Sequence, residues 1–291
     1  MEYNFKILAD SSCDLTQEMA NELGLEILPL SLTADDKIYH NYLDGREIGF
    51  GEYYDMLRKG TKASTSAVNI DAFQNAMEPI LKEGYDLLYI GFSSSLSSTY
   101  QSSVAAAAEL REKYPERTIL TVDSLSASMG YGLLVYLAVK EQRAGKSIQE
   151  VADYVEGLKM NMCHWFTVDD LHHLRRGGRL NATSAIIGTA LKIKPVMHMD
   201  DDGKLTVYTK ARGRKTSINM LVKEMEERAI DPEKQTIFIS HGDCLEDAQF
   251  LAGLIREKFG ISDIHINYVG PVIGTHSGPG TLALFFIGKV R

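Results

Sequence analysis

Apolar and polar positions alternate along the first half of the chain with two different periods. Short apolar runs, read as strands, are FKILA at 5–9, ILPLSLT, KIYHNY, DLLYIGF from Asp86 and TILTVDS from Thr118. Between them lie stretches with helical spacing. One is opened by Asp14, with Gln17 three residues on in capping-box spacing. Others lie around FGEYYDMLRKG, from about Ile70, from the serine-rich turn to Lys113, at about 127–143 and at about 147–159. The polar segment at 34–36 reads as a turn between two strands, and KASTSAVN at 62–69 reads as a loop. Strands that alternate with helices predict a parallel α/β sheet that binds its ligand beyond the carboxyl ends of the strands.

The texture changes near Asn161. CHWFTVDDLHHLRRGGRL reads as a strand running into a short helix broken at Gly177 and Gly178, and IKPVMHMDDDGKLTVYTKA as a hairpin turning at Asp202 and Gly203. TIFISH, a helix through Lys258, IHINYV and TLALFFIGKV complete the segment. The expected organisation is an N-terminal parallel-sheet α/β domain at 1–160 and a C-terminal α+β two-layer domain at 161–291.

Composition narrows the function. Among 291 residues, 31 Lys and Arg against 39 Asp and Glu give a net charge of −8, which disfavours attraction to phosphate backbones and sets nucleic acid aside. The longest apolar run, GLLVYLAV, is far short of the ~20 residues that span a bilayer. With no basic–apolar–small leader pattern at the start, a cytoplasmic protein is expected. Cys13, Cys163 and Cys244 are too scattered for a metal cluster and odd in number, so reduced thiols are expected. Neither a G-x-x-x-x-G-K-[ST] nor a G-x-G-x-x-G after the first strand occurs, and no cofactor is expected.

The candidate chemistry is rich in hydroxyls. Gly91-Phe92-Ser93-Ser94-Ser95 nearly matches a G-x-S-x-G nucleophile elbow, with Ser95 in place of the last glycine. The same turn can serve as an anion site, because amides at a helix start are unpaired and neighbouring hydroxyls add donors; a helix cap alone would explain one of them. Ser64, Thr65 and Ser66 precede the next helix, and the two sets converge if both loops leave one sheet edge. GPVIGTHSGPG places His276 in a glycine-dense loop, and Arg175, Arg176 and Arg179 sit at a helix end suited to carboxylate or phosphate. Adjacent His172 and His173 point apart on a helix, and SHGDC reads as the lead into a helix near Leu245.

Taken in order, ADSSCDLT, STSAVNIDAF, SSSLSSTYQSS, LRRGGRL, IKPV and GPVIGTHSGPGTLALFF resemble the DegV family of bacterial fatty-acid-binding proteins over essentially the whole chain. Ala67, Val68 and Ser98 depart from that family's usual Gln, Pro and Gly. The resemblance implies one long-chain fatty acid in a tunnel between two domains, and a protein that performs no chemistry alone. It places the carboxylate at Thr65, with Ser64 and Ser66 close by, and at Ser94 or Ser93, with His276 and Arg176 or Arg179 near the head group. It further implies an ATP-binding fatty acid kinase subunit as partner, to which the carboxylate is presented for acyl-phosphate formation. The alternative from the residues is a serine hydrolase using Ser93 or Ser94 with His276 and Asp123 or Asp243. A phosphometabolite module with a polar cleft is a third reading.

Overall fold

The computed structural model describes residues 4–169, 171–180 and 193–291; residue 170, inside the segment read as strand into helix, lies outside them. The chain runs β1 (Phe5–Asp10), α1 (Gln17–Leu23), β2 (Glu26–Leu28), β3 (Ser31–Ala34), β4 (Lys37–His40), α2 (Phe50–Arg58), β5 (Ala63–Ser66), α3 (Ile70–Lys82), β6 (Asp86–Gly91), α4 (Thr99–Lys113), β7 (Ile119–Asp123), α5 (Ser128–Arg143) and α6 (Ile148–Leu158). It continues with β8 (Met162–Thr167), α7 (His172–Arg176), β9 (Ile193–Met199), β10 (Leu205–Arg212), α8 (Arg214–Arg228), β11 (Ile237–His241), α9 (Leu245–Phe259), β12 (Ile264–Tyr268), α10 (Pro271–Ser277) and β13 (Leu282–Ile287).

Three sheets form among the described residues. The first is parallel, in the order β2-β1-β6-β7. The second is mixed, in the order β10-β9-β8-β13-β11-β12, with only β11 and β12 parallel. A small antiparallel sheet, β4-β3-β5, stands apart from both. The expected mixed α/β architecture is therefore present, with a parallel sheet and a separate mixed sheet.

Helix α5 lies between the two large sheets, which is why its residues are buried nearly all round. A Cβ on Gly130 would stand 2.4 Å from His164 Nε2 in β8, and one on Gly132 would stand 2.5 Å from the Cys13 carbonyl after β1. Two glycines on opposite sides of one helix thus let it touch both layers. Helices α8 and α9 cover the other face of the mixed sheet with the cluster of Trp165, Ile218, Leu221, Met225, Leu251 and Ile255.

Local details correct the sequence reading at three places. Thr16, not Asp14, caps α1 by accepting from Met19 N, while Asp14 takes a left-handed conformation (φ 53°) that ends the turn at Ser11–Cys13. The 62–69 segment is not wholly loop, because β5 pairs with β3 through Thr65 opposite Leu32. The GPVIGTHS segment is the helix α10, started by Pro271, and not an open glycine loop. The turn at 34–36 is borne out as a hairpin between β3 and β4, with Asp35 and Asp36 both at positive φ, the geometry of a two-residue turn.

The carboxyl edge of the parallel sheet is tied together by Asp10. One oxygen accepts from Ser12 N and Ser12 Oγ, and the other from Tyr89 OH at 2.8 Å and Phe92 N at 3.3 Å. Asp10 thereby sets where the serine-rich turn leaves β6. Its fully buried carboxyl titrates above the ordinary range because desolvation disfavours the charge, and these bonds oppose that shift. Asp10→Ala would leave several buried donors unpaired, and we expect a loss of about 3 kcal/mol or more in urea unfolding. A variant with an unchanged midpoint would show that Asp10 does not organise this edge.

Candidate functional site

The serine-rich turn divides into two parts with different roles. Ser93 Oγ donates to the Gly203 carbonyl at 2.9 Å, and Ser95 Oγ donates to the Asp202 carbonyl at 2.5 Å, so both hold the tip of the β9–β10 hairpin. Ser94 N donates to Asp123 Oδ1 at 3.2 Å. Further along, Ser97 Oγ accepts from Thr99 N and lies 2.9 Å from Thr99 Oγ1, which in turn accepts from Val68 N. That chain of bonds ties the segment after β5 to the turn after β6, so the two hydroxyl-bearing segments do meet.

They meet at two adjoining chambers. The inner one, about 110 Å³, is largely apolar, with Phe92, Leu96, Leu174, Leu205, Val272 and Ile273 among its walls. Ser66, Ser97, Ser98 and Ser277 also line it. The outer one, about 370 Å³, is more polar than the inner and is lined by Lys62, Ser64, Arg176 and Gly177 among others. Thr65, Arg179 and His276 line both chambers and so form the boundary between them. Of the residues singled out in the sequence, Thr65, Ser64, Ser66, Arg176, Arg179 and His276 are thus brought together. Ser93 and Ser94 line neither chamber, and in this turn the serines that line the cavity are Ser97 and Ser98.

At the boundary, Thr65 Oγ1 and His276 Nε2 are 2.8 Å apart. The ring sits so close to the end of α7 that a Cβ on Gly177 would fall 2.2 Å from His276 Nδ1, an atom that is buried without a hydrogen-bond partner. Arg179 donates from Nε to the Leu96 carbonyl at 3.1 Å and from Nη1 to the Gly177 carbonyl at 2.5 Å, bridging the serine-rich turn to the end of α7. Arg176 is exposed, with Nη2 3.2 Å from His173 Nδ1. Burial first, then the charges of Arg179 and Arg176, pull His276 down to about 4, so the ring is neutral at neutral pH. A neutral ring that donates from Nε2 to Thr65 leaves the threonine proton free for a ligand; the other tautomer consumes it.

The hydrolase arrangement is not assembled. His276 is bonded to Thr65, Asp123 accepts from Ser94 N and Leu125 N, and Asp243 pairs with Arg58 at 2.6 Å. No group of His, Cys, Asp and Glu among the described residues could hold a metal ion. Sequence reasoning missed Ser277, the apolar walls and the role of Gly177. The glycine was visible only as a helix breaker, because its neighbour across the cleft is nearly a hundred residues distant in sequence.

The DegV family model matches residues 4–289. The chain belongs to the DegV family. A DegV domain-containing protein of Clostridium perfringens is 47% identical over 287 residues, covering 99% of this chain and 98% of that protein. A DegV family protein from Thermus thermophilus, solved in a study of its fatty acid binding, superposes with a TM-score of 0.87 at 27% identity, covering 98% of this chain and 99% of that one. DegV from Bacillus subtilis, described as a fatty acid binding protein, gives 0.84 at 26% identity, covering 99% and 100%. No helix of the described DegV residues is long and apolar enough to cross a membrane.

Two outcomes follow from the boundary geometry. Gly177→Ala must displace the His276 ring, and histidine NMR resonances should report a changed environment; an unperturbed ring would contradict the packing. His276 binds a proton less readily when folded than at its ordinary value of 6.5, so its contribution to stability is present above pH 6.5 and lost as pH falls toward 4. At about 1.36 kcal/mol per pKa unit this amounts to ~3 kcal/mol. Relative to wild type, His276→Gln should lose correspondingly less stability between pH 6.5 and 4, and parallel stability curves would refute the assignment.

Proposed function

We propose that this DegV protein binds one long-chain fatty acid, with its carboxylate at the Thr65–His276 boundary and its tail entering through the inner chamber. The observation that carries this reading is the meeting of an apolar and a cationic chamber at a ring of hydroxyl, imidazole and guanidinium groups. The fatty-acid binding described for the Thermus thermophilus and Bacillus subtilis relatives supports it. The division of labour follows from magnitudes. A tail of ~14 methylenes at ~0.8 kcal/mol each yields roughly 11 kcal/mol gross, against an association cost of ~4 to 15 kcal/mol. A hydrogen bond to the charged head adds only ~2 to 3 kcal/mol. The tail supplies affinity, and the polar ring fixes position and satisfies the carboxylate.

The head-group donors in this reading are Thr65, freed by His276, and Ser98 in place of Ser93 and Ser94, since Ser97 Oγ is held by Thr99. Arg176 and Arg179 supply the positive field. The protein then acts as a carrier, presenting the carboxylate through the outer chamber to an ATP-binding fatty acid kinase subunit that forms the acyl phosphate.

Purified protein extracted with organic solvent should release close to one equivalent of long-chain fatty acid per chain, or take up oleate once stripped. The absence of both release and uptake would overturn the binding reading. Thr65→Val, which keeps the volume and removes the hydroxyl, should weaken oleate binding roughly tenfold. With ATP and the kinase subunit, oleate-loaded protein should yield acyl phosphate trapped as a hydroxamate; a failure of loaded protein to form that product would refute the carrier role and leave binding intact.

A further inference from the structure

Ser277 is the last residue of α10 and is 8% exposed. Its hydroxyl oxygen is shielded from water and bonded to nothing, although the residue lines the inner chamber. Other buried helical hydroxyls find partners: Thr275 donates to the Pro271 carbonyl, Ser217 to Arg214, Ser103 to Tyr100 and Ser128 to Asp14 Oδ2. Ser277 does not, and the Gly274 carbonyl below it is taken by Gly278 N at 2.8 Å. A buried hydroxyl without a partner is unfavourable, and such groups are normally satisfied by something that occupies the site. Thr167 Oγ1 is also buried and unpartnered, but Thr167 lines neither chamber.

The demand for donors is clear from the ligand chemistry. An ionised carboxylate is acceptor-only, with about four lone-pair sites. Arg179 spends two of its N–H groups on backbone carbonyls, and Ser97 Oγ is engaged with Thr99. Thr65 brings one proton. We propose that Ser277 is a ligand-contacting residue whose hydroxyl donates to the carboxylate from the inner-chamber side, so that the site selects an ionised head group over a neutral one. This rests on the fatty-acid reading of the same site.

The test compares oleate with oleyl alcohol, and follows [1-13C]oleate by NMR. A donor to the charged form lowers the bound carboxyl pKa, and a charge-assisted bond is stronger than a neutral one. Ser277→Ala should therefore weaken oleate about tenfold or more and oleyl alcohol less than about threefold. It should also move the 13C titration of the bound carboxyl to higher pH, while Ser277→Thr keeps wild-type values. Ser277→Cys, with a weak donor of similar volume, should behave as the alanine variant does. Equal weakening of both ligands, or oleate binding and titration unchanged in the alanine and cysteine variants, overturns the assignment of Ser277 alone. Wild-type protein that binds no oleate overturns the underlying reading as well.

Discussion

The bond between Thr65 and His276 joins residues 211 positions apart and sets the geometry of the site. Thr65 stands on β5, the outer strand of the small antiparallel sheet, and His276 on α10, between β12 and β13 of the mixed sheet. Neither element could present its group without the other half of the chain. The contact also requires the bare backbone of Gly177, since any side chain there would occupy the imidazole's place. Tyr53 OH beside Thr275 Oγ1 at 2.6 Å and Tyr54 OH donating to the Val269 carbonyl at 2.7 Å fasten α2 to the same helix and its approach.

Around that bond the charge distribution is one-sided. The boundary and outer chamber bring Lys62, Arg176 and Arg179 together, and the neighbouring imidazole stays uncharged because burial and the two arginines oppose a further positive charge. The charge of this lining is complementary to an anion. The inner walls come from both halves of the chain, Phe92 and Leu96 from one and Leu174, Val272 and Ile273 from the other, so the inner chamber exists only when the halves are docked. Helix α5, packed between the sheets, and the hold of Ser93 and Ser95 on the β9–β10 hairpin maintain that docking.

Much of this was legible in the sequence, and what was not has identifiable causes. Most of the alternation of strands and helices up to Arg143 survives in the structure because apolar periodicity is a local property, but ILPLSLT divides into β2 of the parallel sheet and β3 of the small antiparallel one. The hairpin at Asp202 and Gly203 was likewise visible from its turn residues. Strand β5 was missed because ASTS carries no apolar alternation, and only its pairing with β3 makes it a strand. Helix α10 was hidden by its glycines, of which Gly274 sits inside the helix against Tyr54 OH. Among a run of serines, no local pattern distinguishes those bonded to a distant hairpin from those facing a cavity. Ser93 and Ser95 serve the hairpin, whereas Ser97 and Ser98 line the chamber.

A crystal structure of the oleate complex tests the central claim most directly. The account predicts carboxylate density within hydrogen-bond distance of Thr65 Oγ1, at the boundary formed with His276 and Arg179, and the acyl chain running past Phe92, Leu96 and Leu174. A head group bound elsewhere, or a chain lying in the outer chamber beside Lys62 and Arg176, would contradict it.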